Sequence, residues 1–268
     1  MMNSQTRPWG DLAPSGLFKS FLQQASSGDN KTWARLASML APNIVDVERL
    51  GFRARLHPKD NLSEKRILYT PKRFDPVELA YLSSLIRPNF TFVDLGANCG
   101  GYTLHLAAKA PTSARLFAIE AQPEMARRFS FNLAANQFDA AVQLDELAIS
   151  DARGDITFTI NHHNRGESGL EGDGEIITVP AMPLTDYLAE RSIERLDAMK
   201  IDVEGLEHRI LKPFFETTPI TVKPRCLIVE QLLATPEKDP VALAKSFGYR
   251  VEHDLGRNII LTLDETTP

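Results

Sequence analysis

The sequence predicts an α/β fold: a mostly parallel sheet with helices on both faces, ending in an antiparallel hairpin. Three observations predict it. Short, dense apolar runs with β-branched centres alternate with helical patterns from residue 76 to residue 230, and parallel strands need such crossover connections. The chain ends YRVEHDLGRNIILTLDETTP, where Leu255, Gly256 and Arg257 turn one strand back on another. Several of the predicted strands also end in an acid, at the edge where open parallel sheets bind ligands.

The elements follow in order. The first fourteen residues are rich in Pro, Gly and polar side chains and are expected to fray. From residue 14 to residue 40, Leu17, Phe18, Phe21 and Leu22, then Trp33, Leu36, Ala37 and Leu40, recur at spacings of three and four. That pattern predicts two short amphipathic helices broken at residues 26–30. Their apolar faces need a partner, either the main domain or a second subunit. Residues 1–42 therefore read as a helical extension or cap on a domain of residues 43–268, with a homodimer through these helices as one expectation. Their polar faces are not enriched in Lys or Arg, which disfavours a membrane-surface role.

Residues 76–86 predict a helix with Pro76 in its first turn and Val77, Leu79, Ala80, Leu82, Leu85 and Ile86 facing inward. Residues 90–95 predict a buried strand, 101–110 a helix, 115–119 a strand, 123–136 a helix and 142–149 a strand. Two further strands are expected at 196–203 and 226–230, each followed by a helical pattern. Residues 155–180 read as an insertion in which ITFTI and EIITV flank the polar loop NHHNRGESGLEGDG.

Composition narrows the function. The chain has 268 residues, 43% of them hydrophobic and 24% charged, the profile of an ordinary globular protein of one or two domains. Thirty Lys and Arg against 35 Asp and Glu, a formal charge of -5, argue against a dedicated nucleic-acid binder, and no DNA partner is expected. Residues 49–73 depart from this balance, with eight basic and two acidic side chains; they read as a solvated face or as a patch for an anionic substrate. The two cysteines, Cys99 and Cys226, are too few for a disulfide framework, so a reducing, cytoplasmic location is the simple expectation. No run approaches the roughly 18 apolar residues of a membrane span, and the first thirty residues lack the charged-then-apolar order of a signal peptide.

The most informative segment is TFVDLGANCGGYT, residues 91–103. A buried strand ends in Asp94, and a turn built on Gly96, Gly100 and Gly101 leads into a helix, whose first N–H groups are free. A dinucleotide-binding Gly-x-Gly-x-x-Gly would want glycine where Asn98 stands. Asp94 also aims negative charge at the pocket, which suits a cationic ligand better than a pyrophosphate. The next strand ends in Glu120, twenty positions after Gly100, where an acid can accept hydrogen bonds from a ribose diol. KIDVEG brings Asp202 and Glu204 to the same rim, and the following strand brings Glu230. The convergence of these acids is the signal.

Taken in order, VDLGANCGGYT, AIEAQPE, FNLAANQ, LAISDARGDITF, KIDVEGLEHRIL and the strand-end Glu230 resemble the FkbM family of S-adenosylmethionine-dependent methyltransferases. The resemblance spans roughly residues 74–230. It implies the seven-stranded, Rossmann-like class I methyltransferase fold and O-methylation of a sugar, glycan or secondary metabolite. It further implies cofactor roles for Asp94, Gly96, Ala97, Asn98, Gly100 and Thr103, for Glu120 and Ala121 at the ribose, for Glu146 and Ala148 near adenine, and for Asp202. Ser168 is placed similarly to a serine-bearing loop in the family. The physical reading agrees, because the cofactor is cationic at sulfur and ammonium and the acids supply a complementary field.

Methyl transfer to an alcohol needs a positioned nucleophile and a general base. The candidates are Asp202 first, then Glu204, Glu230 and His208, the last at i+4 from Glu204 if that segment is helical. A surface or capping role for His208 is an equal reading. His162 and His163 lie in the insertion loop with Ser168, where substrate is expected, or are simply solvated. Asp202 and Glu230 offer oxygen ligands for a divalent metal, but Gln231 follows where metal-dependent relatives usually carry a second acid or an Asn, and no metal is predicted. An N- or carboxyl-methyltransferase, or a non-catalytic cofactor-binding scaffold, are the alternatives. Acceptor contacts are expected from the N-terminal helices and the 155–180 insertion.

Overall fold

The computed structural model describes residues 7–28, 31–161, 174–231 and 238–264. Helices α1 (Gly16–Gly28) and α2 (Lys31–Leu40) precede an antiparallel ribbon of β1 (Val45–Arg49) and β2 (Phe52–Leu56). Helices α3 (Leu62–Tyr69) and α4 (Pro76–Ser84) follow. The alternation then runs β3 (Thr91–Leu95), α5 (Gly101–Ala107), β4 (Arg115–Ile119), α6 (Pro123–Ala134) and β5 (Ala141–Asp145). Next come β6 (Ala148–Ser150), β7 (Gly154–Ile160), β8 (Glu175–Pro183) and α7 (Leu184–Glu190). The main sheet resumes with β9 (Ala198–Ile201), α8 (Glu207–Thr217), β10 (Cys226–Glu230), α9 (Pro240–Ser246), β11 (Tyr249–Asp254) and β12 (Asn258–Leu263).

Among the described residues the main sheet has seven strands in the order β5-β4-β3-β9-β10-β12-β11. All neighbours from β5 to β10 run parallel, and β12 alone is antiparallel, to both β10 and β11. The order reverses between β3 and β9, so the crevice beyond their carboxyl ends is the natural ligand site.

The pleat divides the core. Phe92 points into an apolar layer with Phe90, Leu104, Phe129 and the side chains Phe18, Leu22 and Ala37 of α1 and α2. Val93 and Leu95 point into the opposite layer with Met199, Ile201, Phe214 and Phe215. The period of two therefore sends Asp94 to the Phe92 side. In-register pairing of Asp94 with Lys200 puts that lysine on the same side.

Several expectations need correction. The single strand expected at 142–149 is two strands in different sheets: β5 closes the main sheet, while β6 pairs with β8 in a three-stranded sheet that also holds β7. The chain leaves the main sheet at Asp145, whose carboxylate is held by Tyr187 (2.8 Å) and Arg191 (2.7 Å). The two strand-like runs expected in the 155–180 insertion are β7 and β8, and with β6 they form this second small sheet. Val77, 40% exposed, and Ala80 face solvent rather than inward. The 49–73 stretch is not simply a solvated face, because Arg55 is buried with both Nε and Nη2 on Asp46 (2.7 and 2.9 Å). Arg66 pairs with Asp75 at 2.8 Å.

The Arg55–Asp46 pair also ties down the N-terminal segment. Asp46 Oδ2 accepts from the backbone of Gly10 and Leu12, and Arg55 donates to the carbonyls of Arg7 and Pro8. Replacing Asp46 with Ala leaves a buried guanidinium uncompensated, so chemical denaturation of Asp46→Ala is expected to show a loss of about 3–5 kcal/mol. A loss under about 1 kcal/mol would mean that this buried pair does not hold the layer.

Candidate active site

A cavity of about 330 Å³ opens at the carboxyl ends of β3, β4 and β9. One half is lined by the turn after β3 (Asp94 to Cys99), by Glu120, Ala121, Gln122 and Met125, and by Leu147, Ala148 and Ile149. The other half is built from α3 and α4, Tyr102, the loop after β9, and the β11–β12 turn, with Ile156 and Phe158 of β7 on a third side. Among the described residues none of α1 or α2 lines this cavity. Their apolar side chains Phe18, Leu22 and Ala37 pack into the core layer that also holds Phe74 and Tyr102.

The turn after β3 is built by close approach. Gly96 stands at φ 77, and a Cβ there would collide with the backbone oxygen of Asp202. The N–H groups of Gly96 and Ala97 both donate to Ile119 O (3.0 and 3.1 Å), and Asp202 N donates to Leu95 O at 3.1 Å. Gly100, at φ 94, faces Leu104 and Phe129; it shapes the turn without lining the cavity. The Glu120 carboxylate accepts from Asn98 N (2.7 Å) and Gln122 N (2.8 Å). Burial nevertheless pushes this carboxyl up to about 7.

Asp94 is 1% exposed. Its Oδ2 accepts from the Thr103 hydroxyl at 2.7 Å, so Thr103 acts through Asp94 rather than from the cavity wall. Asp94 Oδ1 is buried with no hydrogen-bond partner, as is Gln122 Nε2. An orphaned acceptor and an orphaned donor in one cavity call for a polar ligand, since a buried group without a partner costs about 1–3 kcal/mol. Burial raises the Asp94 pKa, and the Lys200 charge opposes that rise.

The residue that sequence reasoning missed is Lys200. It is buried, donates to Asp202 Oδ2 at 2.9 Å, and lies 5.0 Å from the centre of the Tyr102 ring. KIDVEG contained it, and the alternation along β9 was the available signal. Burial disfavours the Lys200 charge, yet the carboxylates of Asp202 and Asp94 raise its pKa. Burial likewise opposes ionisation of Asp202, but Lys200 at 2.9 Å holds its pKa below the ordinary value. Burial and the Asp202 charge push Glu230 the other way, upward. The Lys200 charge thus favours the ionised form of Asp202.

The other expected site residues are distributed as follows. Glu204 lines the cavity at φ 53. Glu230 is buried behind Asp202, paired with Arg257. Helix α8 starts at Glu207, whose carboxylate accepts from Val203 N and Gly205 N. Glu204 therefore precedes the helix, the i+4 relation to His208 does not arise, and His208 does not line the cavity. Glu146 is exposed in the break between β5 and β6 and is also off the cavity, whereas Ala148 lines it. His162, His163 and Ser168 lie outside the described residues.

Oxygens of Asp202, Glu204 and Glu230 lie within 4.8 Å of one another, a hard-donor set of the kind that suits Mg²⁺. Lys200 and Arg257 already compensate two of the three. Cys99 and Cys226 are buried with pKa values raised by burial, Cys226 to about 12, so neither is poised as a nucleophile. Among the described residues no helix is long and apolar enough to cross a membrane.

The strand order and a switch-point cavity ringed by strand-end acids define a class I methyltransferase fold. Comparison with known proteins is consistent with this. The methyltransferase FkbM domain model matches residues 94–253, and the chain belongs to that family of S-adenosylmethionine-dependent methyltransferases. It is 27% identical over 203 residues to the methyltransferase sdnD of Sordaria araneosa, covering 64% of this chain and 75% of that one. It is 26% identical over 190 residues to the AMB antimetabolite synthetase AmbE of Pseudomonas aeruginosa, covering 56% of this chain but 9% of that protein.

Solved structures similar to it include the tRNA (uracil-54, C5)-methyltransferase of Pyrococcus abyssi bound to S-adenosyl-L-homocysteine. That match has a TM-score of 0.46 and 12% identity, over 83% of this chain and 44% of that one. TYW2 of M. jannaschii in complex with AdoMet matches with a TM-score of 0.44 and 14% identity, over 82% and 85% of the two chains.

Two outcomes are expected. Gly96→Ala should lower stability by about 2 kcal/mol or more in denaturant melts, because left-handed backbone and a backbone collision act together; a parent-like midpoint would refute the close approach. The second concerns pH. Burial lifts Glu64 as well as Glu120 to about 7, whereas unfolded glutamates titrate near about 4.3. The folded chain then holds more protons than the unfolded one, and stability falls as pH rises through 7. His57, lowered to about 4 by burial, acts oppositely only below the ordinary histidine value of about 6.5. Tm should therefore decline between about pH 6.5 and 8, and a rising Tm in that window would show these carboxyls to be ionised.

Proposed function

We propose that the protein transfers a methyl group from S-adenosylmethionine to a hydroxyl of a small molecule or glycan, with Asp202 as general base. The observation that carries this reading is the position of Asp202 at the cavity floor. It lines the same cavity as Asp94 and is paired with Lys200 at 2.9 Å, whose charge favours the ionised carboxylate.

The residues present fit the cofactor. Asp94 Oδ1, buried and without a partner, is an acceptor for the ammonium. Glu120, held in place by two backbone donors, has lone pairs left for ribose hydroxyls, and Gln122 Nε2 is a free donor nearby. Ala121, Met125, Leu147, Ala148 and Ile149 offer an apolar slot for a flat base. When bound, the cofactor supplies an electrophilic methyl on a sulfonium centre.

The chain's own part is positioning and proton removal. The acceptor approaches between α3–α4 and the β11–β12 turn, where Arg66, Asp75, Glu78, Arg257 and Asn258 line the cavity. These are held in pairs: Tyr102 OH donates to Asp75 at 3.0 Å and Asn258 Nδ2 to Glu78 at 2.7 Å. Asp202 takes the hydroxyl proton as the oxygen attacks, and Lys200 holds the carboxylate oxygen in place. Glu204, on the same rim, is the second acid available to the acceptor.

Incubation with methyl-labelled cofactor and a native lysate, followed by mass spectrometry, identifies the acceptor. With it, Asp202→Asn should lose about 10²–10⁴-fold in turnover while binding S-adenosylhomocysteine within a few-fold of the parent. Unaffected turnover would remove Asp202 as the base, and label on nitrogen or a carboxyl group would overturn the hydroxyl assignment.

A further inference from the structure

We infer that Asn61, which lies outside the family-matched region, is a positioning residue for cofactor binding, acting through its hydrogen bond to Asn98. The inference rests on the reading of the turn after β3 as the cofactor site. Asn61 is 3% exposed and makes two different bonds. Its Oδ1 accepts from Glu64 N at 2.9 Å, capping α3, and its Nδ2 donates to Asn98 Oδ1 at 2.9 Å. The first needs only an acceptor. The second needs a donor of this length.

Asn98 stands at φ 53, in the left-handed region that asparagine tolerates when its side chain is hydrogen-bonded locally. Three bonds hold it. Its Oδ1 accepts from Asn61 and from Cys99 N (2.8 Å), and its backbone N–H donates to Glu120 Oε2 (2.7 Å). Two donors on one oxygen fix which way the Asn98 amide is turned. The same residue thus sets the turn and helps orient the acid at the end of β4.

The anchor is itself rigid. Arg128 of α6 donates to both oxygens of Asp60 (2.9 and 2.7 Å) and to Glu64 Oε2 (2.6 Å), on either side of Asn61. The amide Nδ2 of Asn61 also lies 3.2 Å from Met125 Sδ, and Met125 lines the cavity. A side chain held this firmly carries the position of α3 into the turn.

Substitution separates the two roles. Aspartate at 61 keeps the cap but sets a carboxylate against Asn98 Oδ1. Turning the Asn98 amide to suit it would bring NH₂ against the Cys99 N–H. Serine keeps an N-cap oxygen and cannot span to Asn98. Asn61→Ser should therefore melt within a few degrees of the parent, while Asn61→Asp, which buries a carboxylate against Asn98 Oδ1, should melt lower; both should bind S-adenosylhomocysteine about tenfold more weakly by calorimetry, the size of one buried bond. In the background of Asn98→Ala, Asn61→Ser should have little further effect on binding, because a shared route makes the two non-additive. Parent-like affinity in both single variants, or additive losses in the double variant, would overturn the inference. A parent that binds neither S-adenosylmethionine nor its demethylated product would instead overturn the cofactor site itself.

Discussion

A buried lysine between two carboxylates organises this site. The pairing of β3 with β9 sets Asp94 beside Lys200, and the pleat carries Asp202 to the same side two residues further on. Three charges packed at a strand-end crevice are tolerable only in balance, because an isolated buried charge is far too costly. The lysine pairs with Asp202 and favours its ionised form, while burial and the Asp202 charge push the Glu230 pKa upward. Gly96 makes the geometry possible by letting the β3 turn touch the Asp202 backbone. The cofactor half and the acceptor half of the cavity meet at this cluster.

Around it the protein adds a layer from the N-terminal side. The β1–β2 ribbon and α3 contact α6 through side chains rather than through the sheet. Asn132 of α6 accepts from Arg55 N (2.7 Å) and donates to Cys99 O (3.1 Å), bridging the ribbon to the turn. Arg128 binds Asp60 and Glu64 from the same helix. Basic residues that look like surface charge in the sequence are in several cases internal partners. This layer explains how residues before the family-matched region reach the site.

Much of the fold was legible because it rests on local pattern. The strands at 115–119 and 226–230 end where the apolar runs end, and Pro123 and Pro76 mark helix starts as expected. The run at 142–149 misled because β5 and β6 are adjacent in sequence and similar in composition. What parts them is the long-range hold of Tyr187 and Arg191 on Asp145, which no local window contains. Glu146, which the resemblance places near adenine, stands exposed in that break, while Ala148 lines the cavity. His208 was placed by assuming a helix that begins only at Glu207.

The sequence alone determined the class of fold, the family and the set of acids at the strand ends, since these follow from hydrophobic period and from motifs contiguous in the chain. Only the tertiary structure decided which of those acids face one cavity, which is charged, and that Lys200, Gln122 and Asn61 belong with them. The reason is physical. Periodicity fixes which side of an element a residue occupies, but a protonation state, an orphaned donor or a clamp between distant loops depends on neighbours that only folding brings together.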